Sequence, residues 1–128
     1  MKLGFIGGGN MAQALIVGLK SQQFNMQNIT VIELDANKRD QLSRSLGVKT
    51  SAELTSIEAC DVIVLAIKPQ QLASLAKALA PLLKQQLVIS IAAGIRLADL
   101  SRWLSDYKII VRAMPNRSEE RRVGKECA

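Results

Sequence analysis

The chain has 128 residues, of which 48% are hydrophobic but only 3% aromatic, and its 17 Lys and Arg against 11 Asp and Glu give a formal charge of +6. That length suits one domain whose core of Leu, Ile, Val and Ala is the apolar mass of helices packed on a buried parallel sheet. No apolar run nears the ~20 residues of a bilayer span, and Met1 to Ile6 lead into a glycine turn and not a signal-peptide cleavage site, so a cytoplasmic protein with no membrane partner is expected. The basic residues are scattered without aromatic interleaving, which argues against nucleic acid and fits a ligand carrying several phosphates. There is no histidine, and Cys60 and Cys127 lie far apart, so no metal site and no Cys–His nucleophile is expected; both are read as plain thiols.

In chain order, Lys2–Ile6 reads as a buried strand stopping at three glycines. A helix follows from Asn10 to about Gln22, with Asn10 as its cap and an apolar stripe of Met11, Ala14, Leu15, Gly18 and Leu19. Ile29–Glu33 is a β-branched strand, Ala36–Leu46 a helix closed by Gly47, and Val48–Thr50 a brief edge strand. A short helix is expected from Ser51 or Ala52 to Ala59, and Asp61–Ile67 is the strongest strand, apolar on both faces. Pro69 opens a helix with a stripe of Leu72, Leu75, Leu79 and Leu82; Gln86–Ala92 is a buried strand, Leu97–Ser105 a helix and Lys108–Arg112 the last strand. This alternation predicts an α/β, Rossmann-type, doubly wound, mostly parallel six-stranded sheet with helices on both faces.

Gly7, Gly9 and Ala12 stand in G-x-G-x-x-A spacing between a strand and a helix, the setting of a dinucleotide fingerprint. Gly7 permits the tight turn, Gly9 lets the backbone approach a pyrophosphate, and Ala12 lets helix and strand pack closely. The phosphates would meet free N–H groups and the positive end of the helix dipole. Glu33, with Asp35 behind it, ends the second strand where an acid accepts from the adenosine ribose; alternatively it is a solvated strand end. An acid there favours NAD, whereas Lys38 and Arg39 offer partners to a 2′-phosphate, so NADPH or NADH both fit. Ala66-Ile67-Lys68-Pro69 and Ala92-Ala93-Gly94 are placed at the crevice where strand order reverses, with Lys68 either touching a phosphate or carboxylate or simply solvated.

Gly4-Phe5-Ile6-Gly7-Gly8-Gly9-Asn10-Met11-Ala12, Ala66-Ile67-Lys68-Pro69-Gln70, Ser90-Ile91-Ala92-Ala93-Gly94-Ile95 and Val111-Arg112-Ala113-Met114-Pro115-Asn116 together resemble pyrroline-5-carboxylate reductase. The resemblance implies NAD(P)H-dependent reduction of 1-pyrroline-5-carboxylate to L-proline. It places Ile6 to Met11 along the pyrophosphate, Glu33 to Asp35 at the adenosine ribose, Ala66, Ile67, Lys68 and Pro69 at the cofactor's middle, and Ala93, Gly94 and Asn116 on the nicotinamide side. Catalytic residues stay unassigned, because the resemblance also implies a carboxyl-terminal helical domain that makes the family homo-oligomeric and completes the imine site, and the matching stretch ends at Asn116. Residues 1–116 are therefore read as the dinucleotide-binding domain, expected to be inactive alone, and 117–128 as a disordered or weakly helical tail that also resembles translated sequencing adapter. A non-catalytic NAD(P)-sensing module is the alternative, and a dehydrogenase sharing only the glycine turn a third reading that the Ser90–Ile95 stretch disfavours.

Overall fold

The computed structural model describes residues 1–113; Asn116 and the 117–128 tail lie outside them. Strands β1 (Leu3–Ile6), β2 (Ile29–Ile32), β3 (Lys49–Ser51), β4 (Val62–Leu65), β5 (Leu87–Ser90) and β6 (Ile110–Arg112) form one sheet in the order β3-β2-β1-β4-β5-β6. Every neighbouring pair is parallel, which sharpens the expectation of a mostly parallel sheet. Parallel pairing needs a crossover after each strand. These are supplied by α1 (Asn10–Ser21), α2 (Ala36–Leu46), a 3-10 segment (Leu54–Ala59), α3 (Pro69–Leu79) and α4 (Leu97–Trp103).

The alternation of side chains along a strand divides the core between the two faces. Leu3 and Phe5 of β1 and Val64 of β4 pack with Ala12 and Ile16 of α1 and Leu42 and Leu46 of α2. Ile63 and Leu65 point the other way, into Leu72, Ala76 and Leu79 of α3 and Leu100 of α4. Among the described residues, no helix is long and apolar enough to cross a membrane.

Several boundaries differ from expectation for local reasons. Gly9, and not Asn10, is the N-cap of α1, and no side chain caps that helix. The stripe expected on α1 is also corrected: Met11 and Leu15 are 44% and 39% exposed, while Ala12 and Ile16 are fully buried and Leu19 packs partly beneath them. Both ridges have helical spacing, and the small Ala12 decides between them by allowing α1 to lie close on the sheet. The expected helix after Ser51 is a 3-10 segment that starts only at Leu54, because Ser51 completes β3 and its hydroxyl accepts from Glu53 N–H at 3.0 Å. In α3 the buried stripe is Leu72, Ala76 and Leu79; Leu75 is half-buried and Leu82 falls in a following 3-10 turn (Ala80–Leu82). Gly47 closes α2 at φ 74°, as its position after Leu46 requires.

Neighbouring residues of α1 give a direct test of which ridge is structural. Ile16→Ala should lower unfolding stability by ~2–4 kcal/mol in urea titration, and Leu15→Ala by less than ~1 kcal/mol.

Candidate functional site

Strand order reverses between β1 and β4, since the chain steps from β1 outward to β2 and β3 and then crosses back to β4. The carboxyl ends of these strands diverge there and open a crevice of about 690 Å³. Its floor is the turn Gly7-Gly8-Gly9; Glu33, Leu34 and Lys38 form one wall, and Ala66, Ile67 and Lys68 the other.

The turn is fixed from below by backbone. Gly7 has φ +101°, and a Cβ on it would lie 2.5 Å from the Ala66 carbonyl oxygen, so only glycine fits. Its N–H donates to Ile32 O at 2.9 Å, carrying the strand ladder one residue past β1. Gly8 is buried, and a Cβ there would meet Leu42 Cδ1 at 2.7 Å. Gly9 differs, for a Cβ on it would meet nothing within 4 Å, leaving its backbone open to the crevice. With no side-chain cap on α1, the first-turn N–H groups and the helix dipole present positive potential beside this opening.

Glu33 is joined to this turn. Its Oε1 accepts from Gly8 N–H at 3.0 Å, and its Oε2 from Asp35 N–H at 3.1 Å. A buried N–H without a partner would be costly, so Glu33 has a structural task beyond facing the crevice. Asp35 is turned to another duty: its carboxylate caps α2, accepting from the N–H groups of Asn37 at 2.9 Å and Lys38 at 3.4 Å. Arg39 reaches back under the loop, with Nη1 donating to the carbonyls of Glu33 at 2.8 Å and Leu34 at 2.9 Å. Lys38 lines the crevice.

Of the residues singled out in the sequence, the crevice brings together Ile6, Gly7, Gly8, Gly9, Glu33, Lys38, Ala66, Ile67 and Lys68. Asn10 and Met11 are exposed on the first turn of α1, and Ala12 is buried beneath it. Pro69 is the first residue of α3. Ala93 and Gly94 follow β5 on the same edge of the sheet, exposed and outside the crevice wall, with Gly94 at φ 78°. Arg112 Nη1 ties the end of β6 to this turn by donating to Ile95 O at 3.2 Å. Sequence reasoning did not single out Leu34, which is 82% exposed at the mouth, or Gln71 and Ser74 on the crevice side of α3. The available signal was their spacing: Gln71 and Ser74 share a helix face offset from the buried Leu72–Ala76–Leu79 stripe.

Cys60 lies at the opposite edge of the sheet beneath Gly4, whose added Cβ would meet its Sγ at 2.9 Å. Burial, helped by the Asp61 carboxylate, pushes its thiol pKa up, while Lys2 acts weakly the other way.

A family model described as "NADP oxidoreductase coenzyme F420-dependent" matches residues 2–94. The pyrroline-5-carboxylate reductase of Pseudomonas aeruginosa is 40% identical over 119 residues, which is 90% of this chain and 43% of that protein. A pyrroline-5-carboxylate reductase structure from Coxiella burnetii superposes with a TM-score of 0.85 at 36% identity, over 90% of this chain and 44% of that one. The Plasmodium falciparum pyrroline carboxylate reductase, solved with NADP bound, gives 0.77 at 28% identity, over 91% and 42%. The chain thus spans about two fifths of the length of the curated relatives it matches.

Two expectations follow from the site. Gly7→Ala should cost at least ~2 kcal/mol of unfolding stability through its left-handed φ and the carbonyl clash, whereas Gly9→Ala should cost less than ~1 kcal/mol. Iodoacetamide at neutral pH should leave Cys60 unmodified in the folded chain and label it once urea unfolds the domain, as read by peptide mass mapping.

Proposed function

Because the chain belongs to the NADP oxidoreductase coenzyme F420-dependent family, we propose that its crevice holds NAD(P)H for the reduction of 1-pyrroline-5-carboxylate to L-proline. The observation that carries this reading is the uncapped start of α1 behind a glycine turn whose backbone at Gly9 opens on the crevice. A pyrophosphate placed there gains N–H donors and a favourable helix dipole, and Gly9 leaves it room. The fit extends to both walls, with Glu33 able to accept from ribose hydroxyls and Lys68 able to reach an anionic group at the cofactor's middle.

The assignment of Ile6 to Ala12, Glu33 and Asp35, Ala66 to Pro69, Ala93, Gly94 and Asn116 to the cofactor is part of this proposal, with Asp35 acting by shaping the loop through its cap on α2. A reduced nicotinamide supplies the hydride that goes to the carbon of the C=N bond, while a proton reaches its nitrogen. This chain's contribution is to anchor and orient the cofactor. Residues 1–116 form the dinucleotide-binding unit in this reading, with 117–128 separate from it. The surface that holds the imine, and the contacts that make a homo-oligomer, belong in this reading to the part of the relatives' length outside the matched stretch.

Titration of NADH and of NADPH, followed by cofactor fluorescence, should show saturable binding by the 128-residue chain. Gly9→Asp should weaken it by at least about tenfold, because a carboxylate there opposes the pyrophosphate both in space and in charge. Equal binding by the variant would remove the turn from the site. Proline formation by these residues alone would place the imine site within them.

A further inference from the structure

We infer that this crevice selects NADH over NADPH, because a Glu33 carboxylate held at both oxygens faces the ribose end of the β2–α2 junction and the first-turn N–H groups of Asn37 and Lys38 already donate to Asp35. The inference rests on the nicotinamide reading above and deepens it. The two cofactors differ only by a phosphate on the adenosine ribose, and in a doubly wound sheet that ribose sits at the end of the second strand.

Four backbone donors around that point are committed. Gly8 N–H and Asp35 N–H donate to Glu33, and the N–H groups of Asn37 and Lys38 at the start of α2 donate to Asp35. A helix start that would otherwise attract a phosphate is therefore closed by a carboxylate of the chain itself. Arg39, the side chain best suited to bidentate phosphate binding, has Nη1 shared between two backbone carbonyls and does not line the crevice.

What faces the ribose is Glu33, held at both oxygens, and Lys38 on the same wall. A carboxylate is acceptor-only, and its remaining lone pairs suit the hydroxyl donors of an unmodified ribose. Against a 2′-phosphate it sets acceptor against acceptor and negative charge against negative charge. The Lys38 ammonium, on a long flexible stem, must be ordered before it offsets this, whereas Glu33 is already fixed.

Fluorescence titration of the 128-residue chain should give a Kd for NADH lower than that for NADPH by about tenfold or more, with the gap narrowing at high salt as the repulsion is screened. Glu33→Gln retains an amide oxygen for Gly8 N–H but removes the charge, and should narrow the gap by at least about fivefold. NADPH binding as tightly as NADH, or a gap that widens with salt, overturns the inference without touching the nicotinamide reading. A Glu33→Gln chain that melts normally and keeps the wild-type ratio overturns it as well. Should that variant fail to fold, the wild-type ratio and its salt dependence decide. Binding of neither cofactor overturns both readings together.

Discussion

A Cβ on residue 7 would lie 2.5 Å from the carbonyl oxygen of Ala66, and much of the molecule is arranged around that close approach. It brings the end of β1 against the end of β4 where strand order reverses, and it obliges the chain to leave the sheet at once through a left-handed residue. The helix that follows must then take Gly9 as its N-cap and settle on Ala12, whose lack of bulk lets α1 lie against β1. The crevice is the space left when two strands turn away from each other above a backbone contact too tight for any side chain.

The same turn is braced from β2. Gly8 is buried and cannot reach solvent, so its N–H depends on Glu33, and Glu33 in turn holds Asp35 N–H. Three pieces of the crevice lining, the turn in its floor, the end of β2 and the loop into α2, are thus joined through one side chain. A charge-assisted bond to a partly desolvated N–H is stronger than a neutral one, which makes Glu33 a brace as well as an acid on the crevice wall.

Much of this architecture is legible in the sequence because a strand buried on both faces must be an unbroken apolar run, and Val62–Leu65 between polar Asp61 and Lys68 has no other economical reading. Gly47 after Leu46 and Pro69 before the α3 stripe mark helix ends through backbone chemistry that acts locally. The packed face of α1 is not legible in that way, since Met11–Leu15 and Ala12–Ile16 repeat at the same interval and only the tertiary contact with β1 separates them. Asn10 is misleading for a related reason: its type suits a cap, but the turn geometry from Gly7 to Gly9 sets where the helix begins. The crevice motif at Gly7–Gly9 is readable from spacing, whereas the engagement of Glu33 with Gly8, 25 residues apart, exists only once β1 and β2 are paired.

Three helices start beside this crevice, and the ends of α1 and α2 are treated in opposite ways. At α2, Asp35 accepts from two first-turn N–H groups and so neutralises the end with a charge the chain carries itself. At α1 the cap is a glycine and no side chain intervenes. Leaving a helix end open forgoes a stabilisation that a Ser, Asp or Asn at the cap would give, on the order of 1 kcal/mol. Asn10 stands one residue from that position, so capping chemistry lies close at hand in the sequence and the turn keeps it out of place. The contrast divides the crevice electrostatically: the floor at Gly9 is receptive to anionic charge, while the β2–α2 wall carries two carboxylates, Glu33 and Asp35, each held by two backbone N–H groups. A ligand that is anionic in its middle and carries neutral hydroxyls at one end matches both parts at once.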